Sequence, residues 1–144
     1  MLLCTRHISQ YLSRPEVQSK LGVDPSVQGN FSMVSMDLAQ AFSANLDHVH
    51  LTYYYVAALL ERGVRVLIYV GKNDWICNHI GNEKWTMELD WTGKSEFSGQ
   101  NLRGWKLDGK VVGETRSAKG LTFATIRGAG HMVDCSFLSL RPER

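Results

Sequence analysis

The stretch VRVLIYVGKNDWICN, residues 64–78, decides the fold. Its first half, Val64 to Val70, is a nearly continuous run of β-branched and aromatic residues, which alternates less with polar residues than a half-exposed strand would. Such a run is typical of a strand that is covered on both faces in a parallel sheet. Because Gly71 follows this run, we expect Asp74 in a loop beyond the carboxyl end of the strand, where α/β folds commonly place functional side chains.

A second segment of similar design lies further along the chain. The sequence LTFATIRGAGHMV, residues 121–133, begins with a predicted strand over 121–127 and continues into a glycine-rich loop that carries His131. The glycines permit a tight turn, and an imidazole is suited to proton transfer near neutral pH. An acid after one strand and a histidine after a later strand form the second half of the Ser…Asp…His order of α/β-hydrolases. No serine in a nucleophile elbow precedes them.

Each of these two residues also fits a structural role. Asn73-Asp74 is good turn chemistry, so Asp74 could cap its own loop, and His131 could be a hydrogen-bonded structural histidine. The functional interpretation depends on proximity, because a carboxylate beside His131 would fix its tautomer and stabilise the imidazolium. It therefore requires the two side chains to lie within hydrogen-bonding distance.

The remaining patterns mix helix and strand. Ser13, Pro15 and Glu16 form a capping-box pattern, which predicts a short helix that ends at Gly22. Residues 24–45 read as loop with one or two helical turns. Further patterns predict helices over 47–62 and 81–89, a surface segment over 91–101, a hairpin over 105–112 with a type I′ turn at Asp108-Gly109, and a short turn over 113–118. Together these elements indicate α/β architecture.

Composition excludes several classes of protein. The chain has 144 residues, 44% of them hydrophobic and 21% charged, which is ordinary for a globular domain. Its 16 basic and 14 acidic residues give a net charge of +2, and the scattered basic residues do not support nucleic-acid binding. No apolar run approaches the ~18–20 residues of a membrane span. Residues 1–7 also lack the apolar core of a signal peptide.

The cysteines and histidines do not predict a metal site. The three cysteines show no CxxC or Cys/His ligand spacing, and no HExxH motif or nucleotide-binding glycine motif occurs. His48 and His50 are two residues apart on a predicted helix, so their side chains diverge. His7 and His79 have no partner at ligand spacing. We therefore expect no bound metal.

Longer motifs in the chain resemble a known family. Residues 67–82, LIYVGKNDWICNHIGN, followed by Trp85, resemble the acid-loop signature of the serine carboxypeptidases, in particular of the carboxypeptidase Y-like members. Gly130-His131-Met132-Val133 resembles the histidine motif of the family. With weaker matches at 8–23 and between the two motifs, the resemblance covers roughly residues 4–133. It implies that residues 1–144 are the C-terminal part of a serine carboxypeptidase domain, and thus the C-terminal portion of an α/β-hydrolase fold.

The resemblance implies roles for individual residues. Asp74 matches the catalytic acid and His131 the catalytic base, whereas Cys77 and Met132 match positions that line the substrate pocket. Cys77 would then be a free thiol beside the site. The implied activity is the release of C-terminal amino acids from a peptide substrate, without a cofactor.

The resemblance also implies a location in the secretory pathway. Cys4 matches a cysteine that is disulfide-bonded in the family, but its partner would precede residue 1, and Gly29 stands where another bridging cysteine is found. Asn30-Phe31-Ser32 is an N-glycosylation sequon, which is usable only in that pathway. A vacuolar, lysosome-like or secreted location is expected for the full-length family member.

Two departures from the family pattern limit what this chain can do alone. The family's serine elbow and oxyanion-hole segment would lie upstream, so we expect the isolated chain to be inactive and poorly stable. Residues 134–144, DCSFLSLRPER, form an atypical tail that looks like another reading frame or an unspliced intron. Two alternatives remain open: an acyltransferase or esterase of the same fold, and a non-catalytic remnant that binds a partner through its sheet edge.

Overall fold

The computed structural model describes residues 2–133, and for residues 2–5 and His48 it describes the backbone alone. The atypical tail, with Cys135, and the side chain of Cys4 therefore lie outside the described residues. The chain divides into two compact units, Met1–His50 and Leu51–Arg144.

The described residues of the first unit form three α-helices. They are α1 over Leu2–Leu12, α2 over Pro15–Lys20 and α3 over Met36–Ala44. The prediction of α2 is confirmed, and Gly22 follows it with a φ of 71°. The segment expected to be mostly loop instead contains the nine-residue helix α3, because Ser35 caps it by accepting a hydrogen bond from the Leu38 amide at 3.4 Å.

The predicted capping box before α2 is wrong. The Ser13 hydroxyl donates to the Ser9 carbonyl at 2.7 Å and accepts from the Phe31 amide at 2.8 Å. Arg14 occupies the N-cap position without a side-chain cap, and its guanidinium donates to the Glu16 carboxylate at 2.6 Å. The hydroxyl and carboxylate that the pattern assigned to the helix end are thus both engaged elsewhere.

The second unit is built on a four-stranded mixed sheet in the order β1-β4-β3-β2. Its strands are β1 over Val66–Gly71, β2 over Arg103–Leu107, β3 over Lys110–Ala118 and β4 over Leu121–Ile126, and its helices are α4 over Tyr53–Glu61, α5 over His79–Glu88 and α6 over Lys94–Ser98. β1 and β4 are parallel, whereas the other neighbouring strands are antiparallel. The core includes Leu60, Val70, Leu89, Trp91, Phe97, Leu121 and Phe123.

The predicted hairpin is confirmed, but the turn after it is wrong. Asp108 and Gly109 have φ values of 49° and 78°, as a type I′ turn requires, and join β2 to β3. Residues 113–118 continue β3 instead of forming a turn. Gly113 permits this pairing, because a Cβ there would lie 1.8 Å from the Thr125 carbonyl oxygen and 2.3 Å from the Trp105 indole nitrogen.

The segment predicted to be a surface excursion carries part of the core. Trp91 is 9% exposed and Phe97, on α6, is fully buried. Burial here depends on two large aromatic side chains, and the glycines and polar residues around them hide this burial in the sequence.

Other predicted boundaries also shift. The predicted helix over 47–62 is divided into a 3-10 turn, Asp47–Val49, and α4, which Gly63 ends with a φ of 76° as expected. α5 begins two residues earlier than predicted, because the Asn78 side chain caps it through the Gly81 amide at 2.9 Å.

β1 does not have both faces covered within the described residues. Val70 is 5% exposed, but Leu67 and Tyr69 are 58% and 53% exposed. The prediction of a strand is confirmed, whereas the prediction that it is buried on both faces is wrong within the described residues, because the face that carries Leu67 and Tyr69 is largely uncovered.

Candidate active site

The parallel pairing of β1 and β4 determines where the site lies. Gly71 at the end of β1 is in register with Ile126 at the end of β4. The two loops that follow therefore leave the sheet at the same edge, as the carboxyl ends of neighbouring parallel strands must. Asp74 lies on the first of these loops and His131 on the second.

Backbone contacts hold the two loops together. The Lys72 amide donates to the Ile126 carbonyl and the Asn73 amide donates to the Ala129 carbonyl, both at 2.9 Å. Gly71 allows this close approach, because a Cβ there would lie 2.4 Å from the Ala129 oxygen and 2.5 Å from the Gly130 oxygen. The sequence marked Gly71 merely as the end of a strand, and only the packing of the loops discloses its second role.

A second connection joins the acid loop to β3. Lys72 forms an ion pair with Glu114, and both side chains are about one-third exposed, at 28% and 31%. The hydrogen bond from Lys72 holds the pKa of Glu114 below its ordinary value. The sequence did not single out this pair, because its members are 42 residues apart.

Asp74 is fixed by its own loop. Its Oδ1 accepts hydrogen bonds from the Ile76 amide at 3.0 Å and the Cys77 amide at 2.9 Å. This is the turn-capping role that the sequence left open for Asp74. The other carboxylate oxygen, Oδ2, is left to face a partner outside the loop.

That partner is His131. Its Nδ1 lies 2.9 Å from Asp74 Oδ2, so the two side chains lie within hydrogen-bonding distance, as the functional interpretation requires. The Asp74 side chain is 5% exposed, whereas that of His131 is 48% exposed. Because an ionised carboxylate can only accept, Nδ1 carries the shared proton and Nε2 is left for a further partner.

The environment of Asp74 favours its charged form. Burial raises the pKa of the Asp74 carboxyl, but the Cys77 amide and His131 outweigh that effect by hydrogen bonding to the carboxylate. The pKa of Asp74 therefore lies below that of an ordinary aspartate. The carboxylate is ionised at neutral pH and can stabilise a positive charge on the imidazole.

A cavity of about 250 Å³ opens beside this pair. Its lining includes both side chains together with Cys77 and Met132. The described residues that line it are Tyr69, Val70, Gly71, Asp74, Cys77, Asn82, His131, Met132 and Val133. Cys77 is a free, exposed thiol. The four site residues predicted near one another thus line one cavity.

Asn82 is a cavity residue that the sequence did not single out. Its side-chain amide donates to the Asn78 carbonyl at 2.9 Å and the Cys77 carbonyl at 3.2 Å, and its oxygen accepts from the Trp85 indole at 3.0 Å. It therefore anchors the end of the acid loop to α5. The sequence signal that could have identified Asn82 was its position inside the acid-loop signature.

The remaining candidate residues lie elsewhere. Asn30 is exposed in the first unit, as a glycosylation site must be. The other described histidines do not line the cavity. Asp74, Cys77 and His131 each place one donor atom within 4.8 Å of the others, which makes them the donor set that could hold a cation.

A family model and individual relatives match this chain to the same family. The family model described as serine carboxypeptidase matches residues 2–137. The chain is 37% identical over 127 residues to carboxypeptidase Y homolog A of Fusarium vanettenii, and it is 38% identical over 130 residues to the vacuolar serine-type carboxypeptidase ATG42 of Saccharomyces cerevisiae. These matches cover 88% and 89% of this chain but 23% and 25% of the relatives, so the chain spans about a quarter of their length.

A solved structure shows the fold. The prohormone-processing carboxypeptidase Kex1ΔP of Saccharomyces cerevisiae matches with a TM-score of 0.74 at 24% identity, over 92% of this chain and 29% of that structure. The predicted fold class is thereby confirmed as part of an α/β-hydrolase fold. Within the described residues, no helix is both long enough and apolar enough to cross a membrane.

Proposed function

Because the chain belongs to the serine carboxypeptidase family, we propose that Asp74 and His131 are the acid and the base of a triad that releases C-terminal amino acids from peptides. The observation that carries this proposal is the 2.9 Å contact between Asp74 Oδ2 and His131 Nδ1 at the edge of a cavity. Nothing in this chemistry requires a cofactor.

In the proposed mechanism the two nitrogens of the imidazole have different roles. His131 Nε2 takes the proton from a serine hydroxyl as that oxygen attacks the terminal peptide carbonyl, and then gives it to the leaving amino acid. During these steps Asp74 stays ionised, keeps Nδ1 protonated and stabilises the imidazolium. The lowered pKa of Asp74 supports this role, because a carboxylate with a low pKa does not take the proton itself.

Cys77 and Met132 are proposed to shape the pocket for the residue that is released. Both line the cavity, and Cys77 follows Asp74 on the same fixed loop while Met132 follows His131 directly. A thioether and a thiol would offer an apolar, polarizable surface to a substrate side chain.

The attacking serine has to come from another part of a family protein. Within the described residues, the cavity lining contains no serine. Relatives have about three-quarters of their length outside the matched region, which leaves ample chain for the nucleophile and the oxyanion donors. We therefore propose that this chain contributes the acid and the base, and that it is inactive without the remainder.

Two observations support a proposal for the cellular location of the complete protein. One relative is named as vacuolar, and the exposed sequon at Asn30 is compatible with passage through the secretory pathway. We propose a vacuole-like compartment for the complete protein and N-glycosylation at Asn30.

A chimera tests the catalytic proposal. Residues 4–133 replace the corresponding segment of the Fusarium relative, and release of the C-terminal residue from a blocked dipeptide is measured. We expect activity that Asp74→Asn lowers by about 10⁴-fold and that His131→Ala lowers by about 10⁶-fold. Asp90→Asn, at an exposed aspartate outside the cavity, serves as the matched control and should leave the rate unchanged. An active chimera whose rate survives His131→Ala would remove the basis of the proposal.

A further inference from the structure

We propose that Asp74, Cys77 and His131 together form a binding site for Zn²⁺, at which the cation replaces the proton shared by the acid and the imidazole. Metal-ligand spacing did not indicate this site in the sequence, because the three residues come from two loops and His131 lies 57 residues after Asp74. The folded chain brings one donor atom of each to within 4.8 Å of the others.

The donor set has the chemistry of a zinc site. Zn²⁺ is bound in proteins by thiolate sulfur, imidazole nitrogen and carboxylate oxygen, usually with four ligands in a tetrahedron. Mg²⁺ and Ca²⁺ prefer sets made of oxygen alone, so a sulfur and a nitrogen donor select against them. The site therefore provides three ligands for a thiophilic cation and leaves one position for water or another ligand.

The geometry needs only a small adjustment. With Zn–S near 2.3 Å and Zn–N and Zn–O near 2.0 Å, two ligands of one tetrahedral ion lie about 3.3–3.6 Å apart. Asp74 Oδ2 and His131 Nδ1 are 2.9 Å apart, and every pair in the set is within 4.8 Å. Shifts of about an ångström in side chains are sufficient, and the exposed Cys77 and His131 can make them while the Asp74 loop remains fixed.

Proton balance follows from the ligands. The Cys77 thiol loses one proton to solvent, since the thiolate is the ligand. The imidazole keeps its single proton but carries it on Nε2 instead of Nδ1, which becomes the ligand atom. One proton is thus released for each Zn²⁺ bound.

This exchange would block catalysis, an effect that rests on the proposed function. With Zn²⁺ on Nδ1 and the proton on Nε2, His131 has no free nitrogen with which to take the proton of a serine. The cation and the active acid–base pair are then mutually exclusive, so the site would act as an inhibitory one.

Binding is tested on the complete 144-residue chain without any activity assay, so that failure of the proposed function leaves the test intact. Zn²⁺ is titrated by calorimetry, and Co²⁺ serves as the spectroscopic probe because a thiolate ligand gives a near-ultraviolet charge-transfer band. We expect one ion per chain, one proton released, and a rise in the thermal unfolding midpoint with Zn²⁺. Mg²⁺ should produce none of these changes.

Single substitutions identify the ligands. Cys77→Ser should abolish the charge-transfer band, and both Cys77→Ser and His131→Gln should weaken Zn²⁺ binding by more than about tenfold, since even indirect ligand partners contribute that much. Cys4→Ser, at a cysteine of the other unit, and His79→Gln, at a histidine outside the set, should bind like the parent. Zn²⁺ affinity that is unchanged in Cys77→Ser, or no Zn²⁺ binding by the parent, would overturn the proposal.

Discussion

The two carboxylate oxygens of Asp74 have different partners. Oδ1 accepts two amide hydrogen bonds from its own loop, and Oδ2 faces the imidazole of His131. One side chain thus both shapes the loop and orients the base. A loss of the charge at position 74 should therefore change loop stability as well as chemistry.

The first prediction concerns pH. The pKa of Asp74 is lowered in the folded chain, so its stabilising contribution is fully present above the ordinary aspartate pKa and is lost as the pH falls through the lowered, folded-state pKa. Asp74→Asn should be less stable than the parent at neutral pH, and the difference should shrink in acid. Urea unfolding of both proteins across this range measures it, and a difference that does not change with pH would contradict the linkage.

The second prediction concerns Gly71. In Gly71→Ala the new methyl group would meet the backbone oxygens of residues 129 and 130, which cannot rotate away. We expect a loss of about 1–3 kcal/mol or more, as for other overpacked sites, together with separation of the two loops. The low-field NMR resonance of the His131 Nδ1 proton reports on the contact with Asp74. Gly130→Ala is the matched control, because a Cβ at Gly130 meets no atom within 4 Å.

At the scale of elements, a few large side chains fix segments whose composition is polar. α6 has only five residues, and it is held because Phe97 is fully buried in the core of the second unit. Arg116 of β3 lies over the Phe97 ring at 5.8 Å and donates to the Gln100 carbonyl at 2.8 Å. The same guanidinium forms an ion pair with Glu83 of α5 at 3.0 Å. One buried ring and one arginine thus connect α5, α6 and β3.

This arrangement gives the third prediction. Phe97→Ala should lower the free energy of unfolding by about 3–5 kcal/mol, since it leaves a cavity beneath α6. That amount is a large fraction of the roughly 5–15 kcal/mol by which native proteins are stable. Phe42→Ala, at a side chain that is 55% exposed, should change it by less than about 0.5 kcal/mol. Denaturant unfolding of the two variants compares them, and equal losses would show that the burial of Phe97 is not what holds α6.

At the scale of the whole molecule, the sheet ends in an apolar strand. Among the described strands β1 is the last of the order, and Leu67 and Tyr69 are more than half exposed. Trp75 and Ile76, on the loop that follows, are 92% and 77% exposed. An open strand edge beside exposed apolar side chains favours association with another chain.

The fourth prediction follows from this surface. The isolated chain should associate with itself in a concentration-dependent way, and Leu67→Lys should reduce association because a charge on the edge strand opposes further pairing. Val27→Lys, at a residue that is 72% exposed in the first unit, is the matched control and should have no effect. Sedimentation velocity at several concentrations provides the measurement. A monomer at every concentration would show that this edge does not mediate self-association.

Local sequence patterns determined several elements of the fold. The β-branched run at 64–70, the Asp-Gly turn at 108–109 and the glycine after α4 each act over a few residues, and each produced the expected element. The placement of Asp74 and His131 after two strands was likewise readable, because loop position follows directly from where a strand ends.

The tertiary structure decided everything that depends on contact between distant residues. The strand at 113–118 forms because Gly113 fits against Thr125, and Phe97 is buried because the sheet and α5 cover it. The parallel register of β1 and β4 brings a carboxylate, a thiol and an imidazole to one cavity, although the imidazole lies 57 residues beyond the carboxylate. The spacing of residues in the sequence does not reveal these contacts, because the interaction energy belongs to pairs of residues that meet only when the chain has folded.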